Sequence, residues 1–358
     1  MEILLVAVAF FLAFGNGAND NFKGFATVWG SDALSYRQAL ILATVATVAG
    51  SVLSLYLAHG LVQQFSGKGL LPQAMLDAPQ FVASVGLGAA MTVIIATRAG
   101  LPISTTHALI GGLVGAGLAA SPQELQFAKL GQTFVLPLLL SPLLAAGLGQ
   151  LSYRAFRLRS ATTDCACVVP NRLAVAASGV ALPSEVMPRL VLAAEADCDL
   201  QGALGPRVSI PRLLNRLHVF SASLICFARA VNDTPKLAAL LAAVHLLPAQ
   251  ASLAMIAVAM TLGGLLLSRR VAETMSRRVT RMDSTQGLSA NLITATLVLG
   301  ASQFGLPVST THVSVGAIAG VGTGANTLDA RALRTIVLSW VATLPIAAGL
   351  AWLVYQML

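Results

Sequence analysis

The sequence predicts an all-α polytopic membrane protein, with two inverted-topology repeats that contain broken helices and re-entrant helical hairpins. Of the 358 residues, 56% are apolar and only 10% are charged, whereas a soluble domain carries about 25% charged residues. Several apolar runs reach the roughly 20 residues that cross the hydrocarbon core of a bilayer. The other apolar segments are interrupted by polar motifs that occur twice. This composition argues against a soluble enzyme, and the lipid bilayer is the expected solvent.

The apolar runs divide the chain into three parts. Residues 1–151 form the first predicted transmembrane repeat, 152–212 a polar central segment and 213–358 the second repeat. Uninterrupted spans are predicted at 38–58, 131–151, 250–268 and 332–357. Asn-Asp pairs interrupt residues 1–30 and 213–247, and Gly-Leu-Pro splits 81–120 and 288–322, where we expect the re-entrant hairpins.

The interruptions correspond to one another in pairs. The segment Phe14-Gly-Asn-Gly-Ala-Asn-Asp-Asn-Phe-Lys23 corresponds to Phe227-Ala-Arg-Ala-Val-Asn-Asp-Thr-Pro-Lys236. Gly100-Leu-Pro-Ile-Ser-Thr-Thr-His107 matches Gly305-Leu-Pro-Val-Ser-Thr-Thr-His312 at seven of eight positions. Interrupted hydrophobic segments at corresponding places in two halves indicate the substrate site of a transporter.

Arginines predict the orientation. The net charge is +8, and the basic residues are concentrated in the central segment and in the loop that follows the span ending near residue 268. Because cytoplasmic loops are rich in Lys and Arg, we expect both of these regions inside the cell. An odd number of crossings in each half then puts both termini outside and gives the halves opposite orientations. The excess positive charge is thus a topology signal, and no nucleic-acid partner is expected. A compact chain with short loops suggests a plasma or inner membrane.

The Ser-Thr-Thr motifs predict an anion site. Proline is favoured at a helix start, and Ser or Thr caps the free N–H groups there, so a half-helix is expected to begin after each Gly-Leu-Pro. Its N-terminus offers unpaired N–H donors and a partial positive charge. The hydroxyls that add donors are those of Ser104, Thr105, Thr106, Ser309, Thr310 and Thr311. The alternative is that these hydroxyls only satisfy the backbone at a helix break.

Two carboxylates point to a cation that accompanies the anion. Asp20 and Asp233 lie within apolar segments, where a charge costs several kcal/mol. Together with Asn19, Asn232 and freed carbonyls they could hold Na+ or accept a proton. The alternative is a pair with Lys23 or Lys236, three residues further along each helix. Hydrogen phosphate can donate a proton to a carboxylate and sulfate cannot, so the acidic residues favour phosphate.

At these motifs the sequence resembles the inorganic phosphate transporter (PiT) family, whose two repeats each carry a Gly-Ala-Asn-Asp-type motif and a later Ser-Thr-Thr-His motif. Gly17-Ala-Asn-Asp20 follows the pattern, whereas Ala230-Val-Asn-Asp233 keeps only Asn-Asp. The resemblance implies a symporter that imports inorganic phosphate with Na+ or H+ by alternating access. It also implies a site formed by both motifs at the repeat interface, and no cofactor. Homo-oligomer formation is left open.

Other functions remain as alternatives. A sulfate or other oxyanion carrier would use the same scaffold, and a phosphate sensor would bind without flux. An intramembrane enzyme built on Ser and His is disfavoured, because the constellation occurs twice. His107 and His312 are interpreted as hydrogen-bonding groups at the helix breaks, with proton relay as the alternative.

Two arginines and three cysteines give further predictions. Arg98 and Arg229 either attract the anion or extend to the interface. Cys165, Cys167 and Cys198 lie in a segment expected to be cytoplasmic and reducing. We therefore expect no disulfide and consider the three thiolates as a candidate Zn2+ site.

Overall fold

The fold is that of a multi-pass α-helical membrane protein. We describe a computed structural model that covers residues 1–157, 165–170, 188–200, 207–243, 248–279 and 282–358. Within these ranges, six helical segments are long and apolar enough to cross a membrane: Glu2–Gly30, Tyr36–Ser54, Pro79–Arg98, Phe127–Ala155, Gln250–Leu267 and Ala330–Met357. They include all four spans that the sequence predicts as uninterrupted.

The helices of the first half are α1 (Glu2–Asp20), α2 (Ala26–Gly30), α3 (Tyr36–Leu57), α4 (His59–Phe65), α5 (Gln73–Leu76), α6 (Pro79–Arg98), α7 (Thr105–Ala120), α8 (Phe127–Leu130) and α9 (Leu136–Arg157). A 3-10 turn at Lys23–Phe25 joins α1 to α2, and a π-helical turn at Gly131–Val135 joins α8 to α9. The later helices are α10 (Glu195–Leu200), α11 (Ile210–Ala243), α12 (Ala249–Leu267), α13 (Arg269–Arg277), α14 (Ser284–Gln303), α15 (Thr310–Ala325) and α16 (Ala330–Met357).

The outer surface of the long helices is apolar. Leu139, Leu143 and Leu151 on α9 and Val341 on α16 are each more than 60% exposed. A soluble monomer rarely exposes a continuous apolar surface of this kind, whereas lipid tails cover it without cost. Polar side chains lie instead in the interior, where Asn16, Asp20 and Arg229 are almost fully buried along with the other members of the site described below.

The two halves of the chain pack into each other. Helix α1 contacts α12 as well as α6, and α16 contacts α6 and α7. Glycines permit these close approaches: a Cβ atom at Gly17 would overlap the Met260 carbonyl, and one at Gly263 would overlap the Phe14 carbonyl. Small residues of this kind let the backbones of membrane helices touch.

Each half-helix packs on a helix of the other half through two glycines, and these glycines lie at corresponding positions in α7 and α15. On α7, a Cβ at Gly111 or Gly115 would overlap a carbonyl of α16, and on α15 a Cβ at Gly316 or Gly320 would overlap a carbonyl of α9. Each Gly-x-x-x-Gly pair therefore presents a flat backbone to a long apolar helix. The half-helix of each half is thus covered by the last long helix of the other.

The central unit, Ala155–Leu217, forms a separate compact body. Its three-stranded antiparallel sheet has the order β2 (Pro188–Ala193), β1 (Cys165–Pro170), β3 (Val208–Ser209).

The expectation of free thiols that could bind zinc in the central segment is wrong for two of the three cysteines. Cys167 and Cys198 form a disulfide, with their Cα atoms 6.1 Å apart, within the range that a disulfide spans. The two cysteines are 31 residues apart in the sequence, and the pairing of β1 with β2, followed by α10, brings them together. Cys165 stays free and buried, and the described residues contain no group of three or more His, Cys, Asp or Glu that could hold a metal.

We predict that Gly115→Val destabilises the protein, because the new side chain overlaps the Ala348 carbonyl and forces α7 away from α16. Overpacking of this kind costs about 1–3 kcal/mol. Thermal unfolding in detergent measures the effect. Gly349→Val is the matched control, since no atom lies within 4 Å of a Cβ at that position of α16, and equal melting temperatures for the two variants would contradict the prediction.

Candidate functional site

A half-helix begins at each Ser-Thr-Thr motif, as the sequence predicts. Helix α7 starts after Ser104, whose Oγ accepts a hydrogen bond from the His107 backbone N–H at 3.1 Å, and α15 starts after Ser309, which caps the His312 N–H at 3.3 Å. The turns before them contain Gly100 at φ +71° and Gly305 at φ +66°, a conformation that glycine adopts without strain.

The Asn-Asp motifs differ from the expected backbone breaks. Helix α1 ends at Asp20, but α11 continues through Asn232, Asp233 and Pro235. The expectation of an interrupted backbone is therefore confirmed in the first half and wrong in the second. The second motif needs no opened backbone, because its polar groups are satisfied by the Ser302 hydroxyl of α14, the Val308 carbonyl in the turn before α15 and the cationic side chains of α11 itself.

The two Asn-Asp motifs and the two half-helix starts meet in one buried polar cluster. None of its members is more than 5% exposed. We define the polar cluster as Asn16, Asn19, Asp20, Lys23, Thr105, Thr106, Arg229, Asn232, Asp233, Lys236 and Thr311. Ser104, Ser309 and Thr310 are buried at its edge.

Each aspartate pairs with the lysine three residues later. Lys23 forms an ion pair with Asp20, and Lys236 Nζ lies 3.5 Å from Asp233 Oδ1. The alternative of internal Asp–Lys pairs is therefore the arrangement that the structure has. Arg229 adds a third cation, with Nη1 3.8 Å from Asp233 Oδ2. Two carboxylates thus face three cationic side chains, and full ionisation leaves one positive charge in excess.

The lysines connect the two halves in a crossed pattern. Lys23 Nζ donates to the Ile103 carbonyl of its own half at 2.8 Å and to Thr311 Oγ1 of the other half at 2.5 Å. Lys236 Nζ donates to the Val308 carbonyl at 2.8 Å and to Thr106 Oγ1 at 2.9 Å. Each ammonium therefore joins the turn before one half-helix to the first turn of the other.

The threonine hydroxyls also contact the opposite half. Thr311 donates to the Ile103 carbonyl at 2.8 Å, and Thr106 lies 3.4 Å from the Val308 carbonyl. Thr105 donates to Asp20 Oδ2 at 2.9 Å. Three of the hydroxyls predicted for the anion site thus lie in the polar cluster with both aspartates.

The asparagines anchor the motifs to the hairpins. Asn19 Nδ2 donates to Thr97 Oγ1 at 2.9 Å, and Asn19 Oδ1 accepts from the Ile103 N–H at 3.2 Å. In the other half, Ser302 Oγ donates to Asn232 Oδ1 at 3.1 Å. The two motifs are therefore fixed to α6 and α14 by corresponding contacts.

Asn16 and Arg229 occupy equivalent positions in the two halves and bond to each other. Arg229 Nη1 donates to Asn16 Oδ1 at 2.9 Å, and Asn16 Nδ2 lies 2.9 Å from Asp20 Oδ2 and 3.2 Å from Asp233 Oδ2. Of the two arginines considered from the sequence, Arg229 is in the cluster, whereas Arg98 is exposed at the end of α6. Sequence reasoning did not assign Asn16, although it lies one helical turn before Asp20 and could have been found by that spacing.

The two histidines lie together. The rings of His107 and His312 are 4.6 Å apart, and His312 stacks on Trp340 at 3.9 Å. Trp340 Nε1 in turn donates to the Pro102 carbonyl at 3.1 Å. This stack ties α16 to the turn that precedes α7.

We predict that Lys23→Met strongly destabilises the protein, because it leaves Asp20 buried without its ion-pair partner. Breaking a buried pair costs about 3–5 kcal/mol, and the double variant Lys23→Met/Asp20→Asn is expected to recover much of the loss. Thermal unfolding in detergent is the measurement. Arg269→Met, which breaks an exposed pair with Glu273, is the control and is expected to cost at most about 1 kcal/mol. Equal losses in both single variants would refute the prediction.

The chain is similar to known proteins along nearly all of its length. A relative from Thermococcus kodakarensis that carries the name of a phosphate permease is 28% identical over an alignment of 400 positions. The alignment covers 99% of this chain and 97% of the relative. The chloroplastic inorganic phosphate transporter 2-1 of Arabidopsis thaliana is 28% identical over 416 residues, covering 96% of this chain and 69% of that protein.

The fold has a match among solved structures. A structure described as the sodium-dependent phosphate transporter superposes with a TM-score of 0.77 at 24% identity and covers 99% of this chain and 98% of its own. The sequence model of the phosphate transporter family matches residues 16–351, which include every member of the polar cluster. The chain is therefore a member of the phosphate transporter family.

Proposed function

We propose that the protein imports inorganic phosphate across the plasma or inner membrane, coupled to Na+ or H+, by alternating access of the two halves. The observation that carries this proposal is the crossed contact of the half-helix starts, in which Thr106 and Thr311 each lie at the lysine of the opposite half. Family membership and the relatives named for phosphate support the same substrate. The family points to transport and not to covalent catalysis.

The polar cluster suits a tetrahedral oxyanion that carries a proton. The N-termini of α7 and α15 supply N–H donors, and the threonine hydroxyls can rotate from their present acceptors to donate to an anion. The one positive charge in excess at full ionisation favours an anion. Asp20 and Asp233 would repel a fully deprotonated oxyanion, but they can accept a hydrogen bond from hydrogen phosphate. The cluster therefore favours phosphate over sulfate.

Alternating access needs a site shared by two bodies. We propose that the two halves are inverted repeats, with the central segment 152–212 in the cytoplasm and both termini outside. The repeated motifs and the arginine distribution support this arrangement. Because each lysine contacts both half-helix starts, a rocking motion of one half against the other would have to break contacts at the polar cluster. Such motion around a fixed site is the general mechanism of repeat-built transporters.

We predict that proteoliposomes containing the protein accumulate labelled phosphate when a Na+ or pH gradient is imposed, and that excess sulfate does not compete. Asp20→Asn and Asp233→Asn are expected to abolish uptake, because each removes a carboxylate from the cluster. Full competition by sulfate would change the substrate to another oxyanion. Binding without flux under any gradient would indicate a sensor.

We also predict that the double variant Thr106→Val/Thr311→Val weakens phosphate uptake. It removes both crossing hydroxyls while keeping side-chain shape. Hydrogen bonds to a charged group are worth about 1.5–3 kcal/mol each, so the loss of two should lower the apparent affinity about a hundredfold or more. The concentration dependence of uptake measures this change. Thr335→Val is the control, because that hydroxyl is on the exposed start of α16 and donates to the Arg331 carbonyl of its own helix. An unchanged affinity in the double variant would exclude a role for these hydroxyls.

A further inference from the structure

The ammonium group of Lys23 is surrounded by oxygen atoms of the kinds that bind hard metal cations. Besides the Asp20 carboxylate, Asn19 Oδ1 and the Ile103 carbonyl lie 2.8 Å from Nζ, and Thr311 Oγ1 lies 2.5 Å away. We call these four oxygens the Lys23 cage. Carboxylate, amide, backbone carbonyl and hydroxyl oxygens are the ligands that hard cations take in proteins. An ammonium has only three N–H donors, so the cage offers more acceptors than the lysine needs.

The second half has a corresponding Lys236 cage. The Val308 carbonyl lies 2.8 Å from Nζ, Thr106 Oγ1 2.9 Å and Asp233 Oδ1 3.5 Å. The ring of Phe65 lies 5.4 Å from the same nitrogen, in the distance range of a cation–π contact. Both places where freed oxygens could hold a cation are therefore filled by a cation that belongs to the chain.

The charges already present in the polar cluster disfavour a metal ion beside the lysines. The cluster already contains three cationic side chains against two carboxylates, and all five are buried. A sodium ion in either cage would lie within a few ångströms of an ammonium, in an interior where such repulsion is poorly screened. The ammonium groups also occupy the cages, since each lies within hydrogen-bond distance of the cage oxygens, and both lysines are buried, at 4% exposure for Lys23 and 2% for Lys236.

We infer that Lys23 and Lys236 act as tethered replacements for coupling sodium ions, so that phosphate binding and transport by this protein do not require Na+. The inference rests on the proposed function and removes Na+ from its two candidate coupling ions. The sites that would otherwise bind and release a metal cation stay charged throughout the cycle. Phosphate then meets a positive cluster whose charge is independent of the sodium concentration.

The first experiment measures exchange of labelled for unlabelled phosphate across proteoliposomes that contain the full chain, with no ion gradient. Exchange rates in Na+ and in K+ are expected to be equal. Exchange that occurs only with Na+ would overturn the inference and leave the proposed function standing. Absence of exchange in both salts would overturn the proposed function.

The second experiment examines the cages without phosphate. The melting temperature of the purified protein in detergent is expected to be the same in Na+ and in K+, because a ligand stabilises only a protein that binds it. A melting temperature that rises with Na+ concentration would overturn the inference, whether or not phosphate exchange is observed. This measurement uses the unmodified protein, so it does not depend on the folding of any variant.

Matched variants provide a positive test. Lys23→Ala empties the Lys23 cage, so its melting temperature is expected to rise with Na+ and not with K+. Lys23→Met removes the charge but keeps the cage filled, and it is expected to show no sodium response. Lys68→Ala, which changes an exposed lysine outside the polar cluster, should behave as the unmodified protein. An equal response of the Ala and Met variants to Na+ would contradict the assignment of the cage.

Discussion

The structure depends on how five charged side chains are buried inside a fold that lipid surrounds. Asp20, Asp233, Lys23, Lys236 and Arg229 are nearly inaccessible, and isolated charges there would be prohibitively costly. They are tolerated because each carboxylate has a cation and each lysine has backbone carbonyls. These carbonyls belong to the turns before α7 and α15, so the requirement to satisfy the charges also fixes where both half-helices begin.

The same contacts make the site a property of the whole chain. Lys23 needs Thr311 and Lys236 needs Thr106, so neither half completes its own cluster. Helix packing repeats this dependence on a larger scale, since glycines of α7 and α15 each face a long helix from the other half. A substrate held in the polar cluster, as we propose, would contact both halves at once, which is the geometric condition for coupling its binding to their relative movement.

Much of this arrangement can be predicted from the sequence, because it is determined by interactions between residues that are close along the chain. Gly-Leu-Pro-x-Ser-Thr-Thr gave the half-helix starts and their serine caps, and the long apolar runs gave four of the spans. Contacts between distant residues were less accessible: the bonds of Lys23 to Thr311 and of Lys236 to Thr106 depend on how the two halves meet. The same is true of the Asn16–Arg229 bond. The Cys167–Cys198 disulfide could not be predicted, because a cytoplasmic location argues for free thiols and the pairing of β1 with β2 that brings the two cysteines together is a long-range contact.

The covering of α7 by α16 bears on how the chain is made. A ribosome completes α7 at Ala120, whereas α16 begins at Ala330, so more than two hundred residues must be synthesised before the flat face of α7 meets its partner. In contrast, α9 has already been synthesised when α15 emerges from the ribosome. Helix α16 therefore covers α7 only late in synthesis, and a nascent chain that is released before α16 cannot reach the finished structure.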